Sequence, residues 1–241
     1  MKNQKISLLL FICLGFINVV YANPANLSCA KNQIIAYYND LAPDSNYIKD
    51  INTIVKHAEH YMDLRIAENN HARNPAKLAI VFDIDDTSVS HYLEIKKDDF
   101  SNTNALIDGR YLSATAPAIA PIKRLYNEAV AKSISVFFIS VRKPLVAGEA
   151  LRPYTIQNLQ NAGYAGWTEL YLPTGDDLTL PSATYKTKIR KMLTEQGYDI
   201  ILNLGDQDSD LVGGYADHTA KLPNYLYSTS PTPCDAGKVC H

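Results

Sequence analysis

The sequence predicts an α/β fold: a doubly wound, Rossmann-like parallel sheet with an N-terminal helical extension. Three observations predict it. Four short runs, at residues 78–82, 134–139, 169–172 and 200–204, are largely apolar, as expected of strands buried on both faces of a parallel sheet. Helical stretches lie between and beyond them at about 118–132, 147–162 and 185–196, the last closed by Gly197, and strand–helix repetition implies right-handed crossovers. Polar residues directly follow three of the runs, where such sheets place their ligand crevice.

The 241 residues carry 23 Lys and Arg against 25 Asp and Glu, with 46% hydrophobic and 20% charged residues. This composition supports a core without metal or disulfide staples and excludes disorder, collagen-like repeats and a pure coiled coil. The near-neutral balance and the lack of a basic stripe argue against a nucleic acid polymer as partner.

Residues 1–22 read as a signal peptide: Lys2 and Lys5, an apolar run over 6–20, then Val20-Tyr21-Ala22. The run is too short for a stable membrane span, and Ile12 before Cys13 argues against lipidation. A secreted or periplasmic protein is expected. Cleavage after Ala22 removes Lys2 and Lys5, leaving 21 basic groups against 25 acidic ones. Of the remaining Cys29, Cys234 and Cys240, two are expected to pair, either Cys234 with Cys240 or Cys29 with one of them.

The rest, 23–241, reads as one domain. Two helices are expected over 32–70, broken at Ala42-Pro43-Asp44-Ser45. Ile48, Ile51, Ile54, Val55 and Ala58 recur at helical spacing and should pack inward. His57 and His60 lack a third ligand and read as a solvated face.

After the first predicted strand come Asp83-Ile84-Asp85-Asp86-Thr87; after the second, Ser140-Val141-Arg142; then Lys186 near a helix start; and finally Gly205-Asp206-Gln207-Asp208-Ser209-Asp210. Gathered at one sheet edge, these carboxylates would repel by several kcal/mol unless a cation intervened. Oxygen ligands without a Cys or His cluster point to Mg²⁺.

These four segments, in this order, resemble the motifs of the haloacid dehalogenase-like (HAD) superfamily, and more narrowly its secreted acid phosphatase branch of class C acid phosphatases and plant vegetative storage proteins. Thr155 to Leu170, Tyr185 to Leu211 and Lys221-Leu222-Pro223-Asn224 are similar to that branch. The resemblance implies that Asp83 attacks phosphorus to form an aspartyl-phosphate, while Asp85 protonates the leaving group and then activates water. It implies Mg²⁺ between Asp83, the Asp85 carbonyl and Asp206, with Asp210 as a water-mediated ligand or support. Lys186 and Ser140 would bind the phosphoryl oxygens. Arg142 joins that phosphate-binding set, with bracing of its loop as the other open role.

Lys188 rivals Lys186, which the preceding Tyr185 favours. Asp86 and Asp208 are expected as solvated loop residues, and Thr87 as a turn hydrogen bonder. Val141 stands where many relatives have Gly, and Asp208 where many have an aromatic residue. Residues 88–117, with His91, Tyr92 and Tyr111, are the expected short cap insertion, which fits an open site. Tyr92 or Tyr111 could stack on a base, though packing is the expected job of each.

The expected function is a secreted, Mg²⁺-dependent acid phosphatase acting on small phosphomonoesters. Two alternatives stay open: a non-catalytic storage or binding protein of the same fold, and a phosphotransferase using the same intermediate.

Overall fold

The structure is a computed structural model that describes residues 26–146 and 150–229. The expected signal peptide, Cys234 and Cys240 lie outside the described residues; Cys29 is exposed.

Asn26 starts helix α1 (Leu27–Tyr38) by accepting from Ser28 N at 3.0 Å. The helix stops where Asn39, Asp40 and Leu41 take φ of 40°, 49° and 62°, a left-handed region that breaks an α-helix and that Asn and Asp tolerate best. Pro43 follows, and the Ser45 hydroxyl accepts from Ile48 N at 3.2 Å to cap α2 (Asn46–His71). The break thus falls beside the expected one. Ile48, Ile51, Val55, Ala58 and Met62 of α2 are buried, each large side chain contributing about 2 kcal/mol of gross stabilisation. His57 and His60 are exposed.

The chain continues through β1 (Lys77–Phe82), α3 (Tyr92–Lys97), α4 (Asn104–Ser113), α5 (Ala120–Ala131), β2 (Ser135–Ile139), α6 (Arg152–Asn161), β3 (Glu169–Tyr171), α7 (Ser182–Glu195), β4 (Tyr198–Gly205), α8 (Asp208–Leu211) and β5 (His218–Lys221). The five strands form one parallel sheet in the order β3-β2-β1-β4-β5. The doubly wound α/β fold is as predicted. The pattern missed β5, in which only Ala220 is buried, and the short helices α3, α4 and α8.

Alternation along the strands builds two cores. Ile80, Phe82, Val136 and Phe138 pack with α2 and α5, while Ala79, Val81, Phe137 and Ile139 pack with α7. An irregularity in the β1–β4 register skips Ile201, so that Ile201 and Leu202 both join the larger core. Because β1 lies between β2 and β4, its carboxyl end opens at the point where the winding direction reverses. Among the described residues no helix is long and apolar enough to cross a membrane.

Candidate active site

Phe82 pairs with Phe138 on one side and Leu204 on the other, and Asp83 N still donates to Leu204 O at 3.0 Å. The chain then turns sharply. The Ile84 carbonyl accepts from Ser88 N at 2.9 Å and Val89 N at 3.0 Å, while Asp86 takes φ of 53°. Ile84 anchors this turn in the core at 0% exposure.

Asp83, Asp206 and Asp210, all buried, bring carboxylate oxygens within 4.8 Å of one another. Lys186 of α7 donates to Asp83 and, at 2.6 Å, to Asp210 Oδ1. Gly205 makes this approach possible, because a Cβ there would overlap the Asp210 side chain. Asp210 Oδ2 accepts from Gln207 N at 2.8 Å, closing the start of α8. Arg190, one turn beyond Lys186, donates to Asp210 O at 2.7 Å and Gly214 O at 2.9 Å. Asp206 is held by Thr87 Oγ1 at 3.0 Å, Gln207 Nε2 at 2.6 Å and Asn224 Nδ2 at 2.7 Å. Lys188 is exposed and reaches Asp177 at 2.6 Å instead.

Burial pushes the Asp83 carboxyl well above its ordinary range, and Asp210 and Asp206 add to the rise against the opposing Lys186 ammonium. Burial and the neighbouring Asp210 push Asp206 up to about 7. Burial alone would depress Lys186, but Asp210 and Asp83 outweigh it and hold the ammonium charged.

The Asp85 side chain lies outside this carboxylate group, so only its backbone carbonyl remains for the expected metal contact. Arg142 Nη2 donates to Asp85 Oδ1 at 2.7 Å, and Arg142 Nε lies 3.0 Å from Oδ1 and 3.1 Å from Oδ2. His91 Nε2 lies 2.7 Å from the same Oδ1, and His91 Nδ1 lies 2.7 Å from Glu94 Oε2. A doubly protonated imidazole gives each of these carboxylate contacts a donor, with Arg142 Nη2 a further 3.4 Å from Nε2. Burial opposes that charge, but Asp85 and Glu94 prevail and raise its pKa to about 9. Burial would likewise raise Asp85, but Arg142 and His91 hold its carboxyl below the usual range. In the substrate-free protein Asp85, the expected proton donor, is thus paired with two cationic side chains.

For Arg142 the sequence leaves phosphate contact and bracing of its loop both open. Its side chain is 0% exposed and is occupied by Asp85, with Thr155 Oγ1 at 3.4 Å and Asn158 Oδ1 at 3.3 Å. It braces Asp85. Ser140 lines the cavity beside Asp83, its hydroxyl accepting from Arg142 N at 3.2 Å. Val141 has no left-handed φ, so the loop accommodates it without a glycine.

One neighbour differs from expectation. Asp86 is buried at 2% exposure rather than solvated, accepting from His91 N at 2.9 Å and Tyr227 Oη at 2.8 Å. Thr87 N donates within the turn to Ile84 O at 3.4 Å, as expected of a turn residue, and its hydroxyl also reaches across to Asp206. Asp208 is exposed, as expected.

Asp83, Asp85, Asp86, Asp206 and Asp210 line one cavity of about 180 Å³. Ile95, Asn102, Ile107, Arg110 and Tyr111, from the 88–117 segment, line it as well. Tyr111 stacks on the Arg142 guanidinium, 4.7 Å from its centre. Tyr92 lies instead in the core, its ring stacked 4.5 Å from that of Tyr38. Sequence reasoning missed Gln207 and Tyr227 as site residues and placed His91 only in the cover; Asn224 belongs to the 221–224 run it had singled out.

The family described as HAD superfamily, subfamily IIIB (Acid phosphatase) matches residues 16–230. Acid phosphatase 1 of Solanum lycopersicum is 34% identical over 152 residues, covering 61% of this chain and 57% of that protein. Vegetative storage protein 1 of Arabidopsis thaliana is 30% identical over 218 residues, covering 88% of this chain and 76% of that protein. The aligned part thus spans less than two thirds of the Solanum lycopersicum protein. Among solved structures, the class C acid phosphatase from Bacillus anthracis shares the fold with a TM-score of 0.58 at 19% identity, covering 83% of this chain and 86% of that one.

Proposed function

Because the chain belongs to subfamily IIIB of the HAD superfamily, the acid phosphatases, we propose that it hydrolyses small phosphomonoesters in the cavity around Asp83. The convergence of Asp83, Asp206 and Asp210 on Lys186 carries this reading. Were all three carboxylates ionised, they would leave two negative charges against one ammonium in a buried pocket, and burial resists that state unless a cation joins them. That deficit and the all-oxygen donor set fit a hard divalent cation, for which Mg²⁺ is our choice. Asp83, Asp206 and Asp210 would hold it, with the Asp85 carbonyl. A bound cation would relieve repulsion between Asp83 and a phosphate dianion.

One Asp83 oxygen bonds to phosphorus as the bond to the leaving oxygen breaks, giving an aspartyl-phosphate. Lys186 neutralises the phosphoryl oxygens and Ser140 donates to one of them. Asp85 delivers a proton to the leaving oxygen. Arg142 and His91 hold it ionised beforehand; a phosphate dianion arriving beside it raises its proton affinity, so that it takes this proton from solvent before the bond to the leaving oxygen breaks. In the second step Asp85 takes a proton from water, whose oxygen attacks the same phosphorus. Inorganic phosphate leaves and Asp83 is regenerated.

Relatives include a vegetative storage protein, but the intact pairing of Asp83 with Lys186 favours the enzyme. Export through residues 1–22 belongs to the same proposal, and a mature chain beginning at Asn23 would support it. Nitrophenol release from its phosphate ester tests the function. It should require Mg²⁺, stop with EDTA and vanish in Asp83→Asn; activity in that variant comparable to the parent would contradict the mechanism.

A further inference from the structure

The contacts on Asp85 are uneven. Oδ1 meets His91 Nε2 at 2.7 Å, Arg142 Nη2 at 2.7 Å and Arg142 Nε at 3.0 Å, which fills the roughly two lone-pair positions of a carboxylate oxygen. Oδ2 meets only Arg142 Nε, at 3.1 Å. One oxygen is saturated and the other keeps a lone pair.

We propose that His91, backed by Glu94, is a positioning residue for Asp85: it draws both cations onto Oδ1 and leaves Oδ2 as the oxygen that serves the leaving group. The inference rests on the phosphatase reading above. Without the imidazole, the guanidinium and the carboxylate relax toward a symmetric two-bond fork, the preferred geometry of such pairs. That fork moves the Nε bond, now shared between Oδ1 at 3.0 Å and Oδ2 at 3.1 Å, wholly onto Oδ2, which makes that oxygen a poorer proton carrier.

The support for His91 comes from both ends of the 88–117 segment. Its backbone N–H donates to Asp86 at 2.9 Å. Glu94, whose Oε2 meets the imidazole, takes Ser113 Oγ at 3.2 Å and Thr115 Oγ1 at 3.1 Å on its other oxygen. Ser113 ends α4 and Thr115 lies just beyond it. The two stems of the cover are therefore joined through Glu94 and His91 to the Asp85 carboxylate. His91, at 4% exposure, also lines the cavity. A purely structural ion network would not require the line of contacts to end on this oxygen.

The test uses leaving groups. Nitrophenolate departs without a proton, whereas an alkoxide needs one, so only the alkyl ester depends on a correctly aimed Asp85. The measurement is kcat/KM with Mg²⁺ on p-nitrophenyl phosphate and on glycerol phosphate, for the parent, His91→Ala and Glu94→Gln. In His91→Ala the loss on glycerol phosphate should exceed that on p-nitrophenyl phosphate by about tenfold or more. Glu94→Gln should shift the ratio in the same direction by less, and it carries the test alone if His91→Ala fails to fold. Equal losses on both esters, or no loss on either, would overturn the role of His91 and leave the phosphatase reading intact. A parent that cleaves neither ester overturns both.

Discussion

Lys186 Nζ stands 2.6 Å from Asp210 Oδ1 while the same ammonium binds Asp83, so carboxylates from the end of β1 and from α8 share one buried cation. Replacing it by Lys186→Met leaves both uncompensated. The expected cost is about 3–5 kcal/mol of stability, read by urea unfolding in EDTA, together with loss of turnover. A variant as stable and as active as the parent would contradict the pairing.

Gly205 lies against the Asp210 side chain, where a Cβ would overlap it. Gly205→Ala should displace Asp210 from Lys186, cost about 1–3 kcal/mol as overpacking does, and weaken Mg²⁺ dependence of turnover. Unfolding curves and a Mg²⁺ titration check both effects.

His91 gives a pH dependence. Its folded pKa of about 9 lies above the ordinary 6.5, so its stabilisation is complete below about 6.5 and is lost as pH rises through 9. The gap corresponds to roughly 3 kcal/mol. Denaturant unfolding of the parent and His91→Gln at pH 6 and pH 10 should show their stability difference shrinking at the higher pH. A constant difference would mean that the imidazole is not charged in the fold.

A divalent cation that binds the folded carboxylates should raise Tm. At a hundred times its Kd the stabilisation is about 2.7 kcal/mol. Calorimetry should show the rise with Mg²⁺, its loss with EDTA and its absence in Asp206→Asn. An equal rise in that variant would place the cation elsewhere.

The sheet was legible because its central strands are apolar on both faces: Ile80 and Val81 feed different cores, so neither could be polar. β5 escaped because only Ala220 of its residues is buried. Asp83, Lys186, Asp206 and Asp210 could be named since each follows or opens a recognisable element, and the structure brings all four together. Asp86 could not be read as buried, because Tyr227, which helps to bury it, lies 141 residues away. His91 was equally hidden. Six residues past Asp85 in the chain, it returns to that carboxylate only because the chain reverses at Ile84 to Val89, with Asp86 left-handed. Arg142 was ambiguous for a related reason: sequence places it at the site edge, and only the position of Asp85 decides which anion it meets.

The central claim is that Asp83 takes a phosphoryl group onto itself. Acid quenching during steady turnover of a phosphomonoester, followed by peptide mass spectrometry, tests it most directly. A phosphoryl adduct on the peptide that carries Asp83, absent in Asp83→Asn, is the predicted result. Rapid product release with that peptide unmodified throughout, or with the adduct on another residue, would contradict it.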